Sequence, residues 1–152
     1  MALNTGDKIP YFILADQYGV EISVEKLLSQ KALVIYFYPK DETAGCTRQA
    51  CAFRDHYQDF TDAGADVIGI SSDSKDSHGK FAKHHNLPFI LLSDEGGEVR
   101  KQFGVPADLF GLLPGRVTYI VDKQGIIKYV FNSQVRIGTH ISEALRILKE
   151  MK

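Results

Sequence analysis

The sequence has no excess of either charge: 18 Lys and Arg stand against 19 Asp and Glu, for a net charge of −1. Without a basic surplus there is no counterion-release contribution to drive non-specific nucleic-acid binding, which argues against that class of partner. Long hydrophobic runs are also missing. The longest uninterrupted apolar stretch, Ala32 to Tyr38, is seven residues, against about 20 for a membrane-spanning helix. The opening residues, Met-Ala-Leu-Asn-Thr-Gly-Asp-Lys, show neither the apolar core of a secretory signal nor the Arg- and Ser-rich, acid-poor bias of a transit peptide. A cytoplasmic address is the expectation, unless a cleaved leader preceded this numbering. Two cysteines are too few for a disulfide framework, and 152 residues can bury a core without one. The cysteines therefore either do chemistry or fill apolar space.

What is present reads as alternating strands and helices. Leu33 to Tyr38, a β-branched and aromatic run closed by Pro39, suits a strand buried on both faces. After the polar loop Lys40 to Thr43, the residues Ala50, Phe53, Tyr57 and Phe60 recur at helical spacing. They predict one helix of about four turns ending near Gly64. Further strands are expected at Asp66 to Ser71 and Phe89 to Leu92, separated by a helix over Asp76 to His85. A short helix over Glu98 to Phe103, closed by Gly104, leads into a Gly- and Pro-punctuated loop, Val105 to Gly115. Val117 to Val121 and Ile126 to Phe131 then flank Asp-Lys-Gln-Gly as a hairpin. A last helix carries Ile141, Ala144, Leu145, Leu148 and Met151 on one face, with Thr139 as its expected N-cap. Near the start, Phe12 to Leu14 and Glu21 to Val24 flank Tyr18-Gly19 as a small hairpin. With no repeat or linker, the expectation is a single α/β domain over 1–152 built on a mixed sheet.

Both cysteines lie in Thr-Ala-Gly-Cys-Thr-Arg-Gln-Ala-Cys, residues 43–51, where the loop becomes a helix. With Thr43 as N-cap, Cys46 is the third helical residue. There, unpaired backbone N–H groups and the positive end of the helix dipole favour a thiolate over a thiol. The competing reading is a small buried apolar residue, since Cys46 shares a helix face with Ala50, Phe53 and Tyr57. Cys51 is turned about 140° from Cys46, and in an intact helix their Cα atoms would be roughly 8 to 9 Å apart, beyond the roughly 7 Å limit of a disulfide. The spacing also speaks against a zinc site, because no second cysteine pair exists and the histidines lack convincing ligand spacing. His78, His84 and His85, in a Lys- and Asp-rich helix, are expected to be solvated. Phosphate-binding glycine loops, the serine nucleophile elbow and the H-E-x-x-H motif are missing, and Gly96-Gly97 reads as a turn. Arg116, after Pro114-Gly115, is either a solvated edge charge or a cation aimed at the thiolate, a role for which Arg48 and Arg54 compete.

Pro39, Thr43 and Cys46 reproduce the peroxiredoxin pattern Pro-x-x-x-(Thr/Ser)-x-x-Cys, and Cys51 five residues later resembles the peroxiredoxin Q branch, also called bacterioferritin comigratory protein. The likeness extends over residues 45–55, 67–71, 87–94 and 109–116, and is nearest to plant and cyanobacterial members, the plant forms being chloroplast proteins. The resemblance implies a thioredoxin-like fold, with a central mixed sheet flanked by helices and an N-terminal hairpin. It also implies thiol-dependent reduction of hydrogen peroxide and organic hydroperoxides. By this analogy Cys46 is the peroxidatic cysteine and Cys51 the resolving one. Thr43 would bond the thiolate and peroxide, Arg116 would keep the thiolate ionised and polarise the peroxide, and Pro39 would shield the pocket. An intramolecular Cys46–Cys51 disulfide would be reduced by thioredoxin, with glutaredoxin as the alternative, in a monomer needing no metal or organic cofactor; the chloroplast becomes the alternative address. Many relatives have Pro where Ala44 stands, which removes a pre-set φ from the first helical position. Two other functions fit the same residues less well: a disulfide reductase on this fold, and a binding module in which both cysteines are core.

Overall fold

The computed structural model describes residues 2–105, 107–108, 113–133 and 136–151. The chain begins with β1 (Ile13–Ala15), β2 (Glu21–Ser23) and α1 (Val24–Leu28), followed by β3 (Ala32–Phe37), α2 (Ala44–Asp55) and α3 (Tyr57–Asp62). Next come β4 (Ala65–Ser71), α4 (Lys75–His85), β5 (Ile90–Ser93) and α5 (Glu98–Phe103). The short ladder β6 (Ala107–Asp108) and β7 (Leu113–Pro114) leads to β8 (Val117–Val121), β9 (Ile127–Asn132) and α6 (Ile137–Glu150). Seven strands form one mixed sheet in the order β2-β1-β5-β4-β3-β8-β9. β3, β4 and β5 are parallel, and β8 returns antiparallel on the other side of β3.

Strand geometry alternates side chains between faces, and β3 divides the core accordingly. Val34 and Tyr36, with Tyr38 just beyond the strand, join Cys46, Ala50, Phe53, Phe60, Phe81 and Leu148 on the face covered by α2, α3, α4 and α6. Leu33, Ile35 and Phe37 join Val24, Leu28, Val99, Phe103 and Tyr119 on the face covered by α1 and α5. Tyr36 pairs in register with Gly69 of β4. A Cβ at Gly69 would lie 2.8 Å from the Tyr36 ring and 2.9 Å from Leu91, so glycine makes room for a phenol in the sheet's interior. That ring stacks on Phe53 with centroids 4.5 Å apart. Among the described residues, no helix is long and apolar enough to cross a membrane.

Four expectations change. The single helix from Thr43 to Gly64 is two, divided at His56 (φ −105, ψ 9). The break steers α3 toward β4, where the Tyr57 hydroxyl donates to Asp66 at 2.7 Å and Phe60 meets Phe53. The last helix begins at Ile137, with Arg136 rather than Thr139 as N-cap, because burial of Ile137 and His140 extends its apolar face backward. His78 is fully buried rather than solvated, and His85 is largely covered, whereas His84 is exposed. The loop Val105 to Gly115 contains the β6–β7 ladder, and Arg116 directly precedes β8. Residues 109–112 of the resemblance lie outside the described residues.

Candidate active site

The site forms where β3 ends. Tyr38 is buried, Pro39 is half-buried, and the loop from Lys40 delivers Thr43 as the N-cap of α2, in extended conformation (φ −82, ψ 153). Cys46 is the third residue of α2 and only 1% exposed. Because β8 pairs antiparallel with β3, with Phe37 opposite Val117, the residue before β8 lies beyond the end of β3, beside the start of α2. That residue is Arg116, itself buried. Its Nη2 donates to Cys46 Sγ at 3.3 Å and its Nη1 to Gln49 Oε1 at 2.5 Å. A Cβ on Gly45 would stand 3.0 Å from Arg116 Nη2, so the absence of a side chain there permits the guanidinium's approach. A cation in contact with sulfur, together with first-turn N–H groups left without a side-chain cap, stabilises negative charge on Cys46.

Arg116 is thus the arginine brought to Cys46. Arg48 is exposed, and Arg54 donates to the His85 carbonyl at 2.7 Å and to Asp55 at 3.0 Å. Thr43 is exposed, and its hydroxyl donates to the Lys40 carbonyl at 2.8 Å. Among the described residues no hydrogen bond joins Thr43 to Cys46. Cys51 is half-buried one and a half turns along the same intact helix, and both thiols are free. Pro39 flanks the loop without a polar contact to the sulfur.

Sequence reasoning missed several residues. Gln49 holds the guanidinium; its position three after Cys46, on the same helix face, is a signal that was available. Arg100, on α5, has no local signal. Its Nη2 donates to the Tyr38 carbonyl at 2.8 Å and its Nη1 to the Gly115 carbonyl at 3.0 Å, bracing the end of β3 against the approach to Arg116. Burial lowers its pKa below the usual arginine value, opposed by Asp94, Tyr119 and the Cys46 charge. Tyr36 and Tyr38 have pKa values well above the ordinary phenol range, first from burial and then from neighbouring negative groups, which include Cys46 for Tyr36 and Asp41 for both. Both phenols therefore stay neutral.

Asp41 anchors the loop. Its carboxylate accepts from Tyr38 Oη at 2.6 Å and Ser77 Oγ at 2.8 Å, and meets His78 Nδ1 at 2.7 Å. Its backbone N–H donates to Asp73, which also accepts from Ser71. His78 Nε2 faces the Leu92 carbonyl at 3.0 Å. This buried, satisfied network fastens the loop before Cys46 to α4 and to the turn preceding it.

The family description AhpC/TSA matches residues 5–130. A chloroplastic peroxiredoxin Q of Sedum lineare is 55% identical over 150 residues, covering 99% of this chain and 80% of that one. Its Arabidopsis thaliana counterpart is 54% identical, covering 97% and 68%. Among solved structures, the peroxidoxin BcpB of Mycobacterium tuberculosis is 36% identical with a TM-score of 0.92, covering 99% of both chains. A Xanthomonas campestris bacterioferritin comigratory protein, described for alkyl peroxide reduction, is 27% identical with a TM-score of 0.84, covering 95% and 99%. With a thiol held against an arginine at the start of α2, a thioredoxin-like sheet and relatives of this kind, the chain belongs to the AhpC/TSA family, as a peroxiredoxin of the Q branch.

Proposed function

We propose that this peroxiredoxin reduces hydrogen peroxide and organic hydroperoxides through Cys46, resolves the product with Cys51, and is recycled by thioredoxin. The observation that carries the reading is the 3.3 Å contact from Arg116 Nη2 to Cys46 Sγ at the start of α2. The Cys46 thiolate attacks one peroxide oxygen, the O–O bond breaks, and the sulfur becomes a sulfenic acid while the departing oxygen takes a proton as water or alcohol. Arg116 opposes charge on the thiolate and then on the departing oxygen. The Cys51 thiol next attacks the sulfenic sulfur, forming the S–S bond and releasing water. Thioredoxin, a dithiol protein, returns both cysteines to thiols by exchange and is itself oxidised.

Thr43 would turn its hydroxyl from Lys40 to the peroxide, and Pro39 would limit water at the sulfur. Resolution within one helix needs no second chain, so monomeric action and a single domain over 1–152 are part of the proposal. The chloroplastic names of the plant relatives favour the plastid alternative over the cytoplasmic expectation.

A peroxidase assay coupled to thioredoxin, thioredoxin reductase and NADPH tests the reading. Cys46→Ser should abolish turnover, because a neutral serine hydroxyl is a poor nucleophile, and Cys51→Ser should consume about one peroxide per chain and then stop. A tenth of the wild-type rate surviving in Cys46→Ser, or full recycling in Cys51→Ser, would overturn the corresponding assignment.

A further inference from the structure

A second cluster of ligating side chains lies beside the active-site loop and takes no part in the chemistry above. Glu42, the residue before the α2 N-cap, has its backbone in the left-handed region at φ 62, a conformation unfavourable for a residue with a long side chain. Its carboxylate is directed to the C-terminal turn of α4. There His84 Nδ1 lies 3.1 and 3.3 Å from the two carboxylate oxygens, and His85 Nε2 lies 3.0 Å from one of them. The two imidazole rings overlap, with centroids 4.2 Å apart. All three side chains offer a donor atom within 4.8 Å of the others.

We propose that Glu42, His84 and His85 form a binding site for a transition-metal dication of the zinc class. Two imidazole nitrogens and one carboxylate are the donor set such ions prefer, with Zn–N and Zn–O distances of about 2.0 to 2.2 Å. A tetrahedral centre with those bonds sets its ligand atoms about 3.3 Å apart, and the nitrogen–oxygen separations here are 3.0 to 3.3 Å. One dication can therefore take the place of the imidazole–carboxylate hydrogen bonds, with the two histidine nitrogens, which lie within 4.8 Å of each other, set about 3.3 Å apart. The remaining coordination positions fall to water, for which the 66% exposure of the His84 side chain and 46% of Glu42 leave room.

The surroundings suit a cation. The C-terminal turn of α4 places the negative end of its dipole at the two histidines. His85 is braced on one side by the Phe81 ring, 5.2 Å away and edge-on, and its backbone carbonyl accepts from Arg54. The Arg54 charge is in turn paired with Asp55. Among the described residues, the other ligand-bearing cluster, Asp41, Asp73 and His78, differs: Asp41 and His78 are buried, and its polar atoms are committed to Tyr38, Ser71, Ser77 and Leu92.

Glu42 adjoins Thr43, so an occupied site ties the start of α2 to the end of α4. On the peroxidase reading above, that tie opposes the opening of α2 needed for Cys51 to reach Cys46, and zinc slows resolution. Binding itself does not depend on that reading.

The test uses the full chain with Cys46→Ser and Cys51→Ser, which removes the thiols as competing ligands. Zinc is titrated against a chromophoric chelator, and cobalt is followed by its visible spectrum. One metal per chain is expected, with a cobalt spectrum free of thiolate bands. Adding His84→Ala, His85→Ala or Glu42→Gln should each weaken binding by at least about tenfold, as loss of a ligand must cost no less than loss of a supporting contact. Amide exchange over residues 42–46 should slow with zinc and lose that response when both histidines are replaced. Absence of stoichiometric binding, or binding unchanged by His84→Ala with His85→Ala, would overturn the site. Exchange indifferent to zinc in a chain that binds it would overturn the tie to α2.

Discussion

α2 and α4 are near twins by position: each follows a strand of the parallel trio, each runs 11 or 12 residues, and both pack on one face of the sheet. Their ends differ. α4 is capped by Ser74, whose hydroxyl accepts from the Ser77 N–H, carries Asp76 in its first turn, and closes on Asn86 in the left-handed region. α2 has no side-chain cap at Thr43, no acidic residue in its first turn, and Gly45 as its second residue, a choice that costs about 1 kcal/mol relative to alanine in a helix interior. The first turn of α2 is held instead by Arg116 on Cys46 and by Asp41, which is bonded to Ser77 and His78 of α4. Two cysteines five apart on an intact helix lie beyond disulfide range, so the proposed Cys46–Cys51 disulfide would require α2 to open, and α2 is weakly secured at its start. The neighbour that anchors its loop is secured at both ends.

That contrast concerns the first turn and not the body of the helix, and the largest expected effect would test this limit. Phe53→Ala in α2 and Phe81→Ala in α4 remove fully buried rings, and each should cost about 3 to 5 kcal/mol in denaturant unfolding. A much smaller loss for Phe53 would extend the weakness along all of α2.

Acid should act unevenly. His140 of α6 is buried among neutral partners: its ring nitrogens meet the Thr118 hydroxyl at 2.7 Å and the Ser133 carbonyl at 2.8 Å. Burial is the main cause that lowers its pKa from 6.5 to about 4; Arg116 lowers it further, and the Ser133 carbonyl opposes the shift. The folded state thus binds this proton less readily than the unfolded chain. Its contribution to stability is complete above about pH 6.5 and is lost as the pH falls toward 4, a change of about 3 kcal/mol. Unfolding at pH 7 and pH 4 should show that loss in the wild type and much less of it in His140→Gln.

Arg116→Ala removes the cation that secures Cys46. Peroxide attack should slow by about 100-fold, measurable by rapid mixing. An unchanged rate would show that the contact is structural only. The smallest effects sit at the caps. Ser74→Ala should lower stability by about 1 kcal/mol. Ala44→Pro, with φ pre-set at the first helical position, should add a few tenths of a kcal/mol and slow disulfide formation. Faster disulfide formation in Ala44→Pro would contradict the role given to the first turn.

Much of this was legible in one dimension. Alternation and β-branched runs located β3, β4 and β8, because a strand's two faces and a buried strand's composition are local properties. Glu98 to Phe103 with Gly104 marked α5 to the residue, since the left-handed closing glycine is a local backbone requirement. The place of Cys46 in the first turn of α2 followed from Thr43 three residues earlier. The break at His56 and the early start of α6 did not, because packing of Phe60 on Phe53 and burial of Ile137 outweigh helical periodicity there.

The sequence by itself determined an α/β chain with a cysteine at a helix start and a second cysteine out of its reach, since periodicity, caps and helical rise act over a few residues. Tertiary structure alone decided which arginine meets the sulfur, because Arg116 arrives through the antiparallel pairing of β8 with β3. It also decided that Arg100 braces the site, that His78 is buried against Asp41, and that Glu42 meets His84 and His85. Those partners stand about 40 to 70 residues apart in the chain, and only the closing of the sheet, driven by burial of its two faces, brings them together.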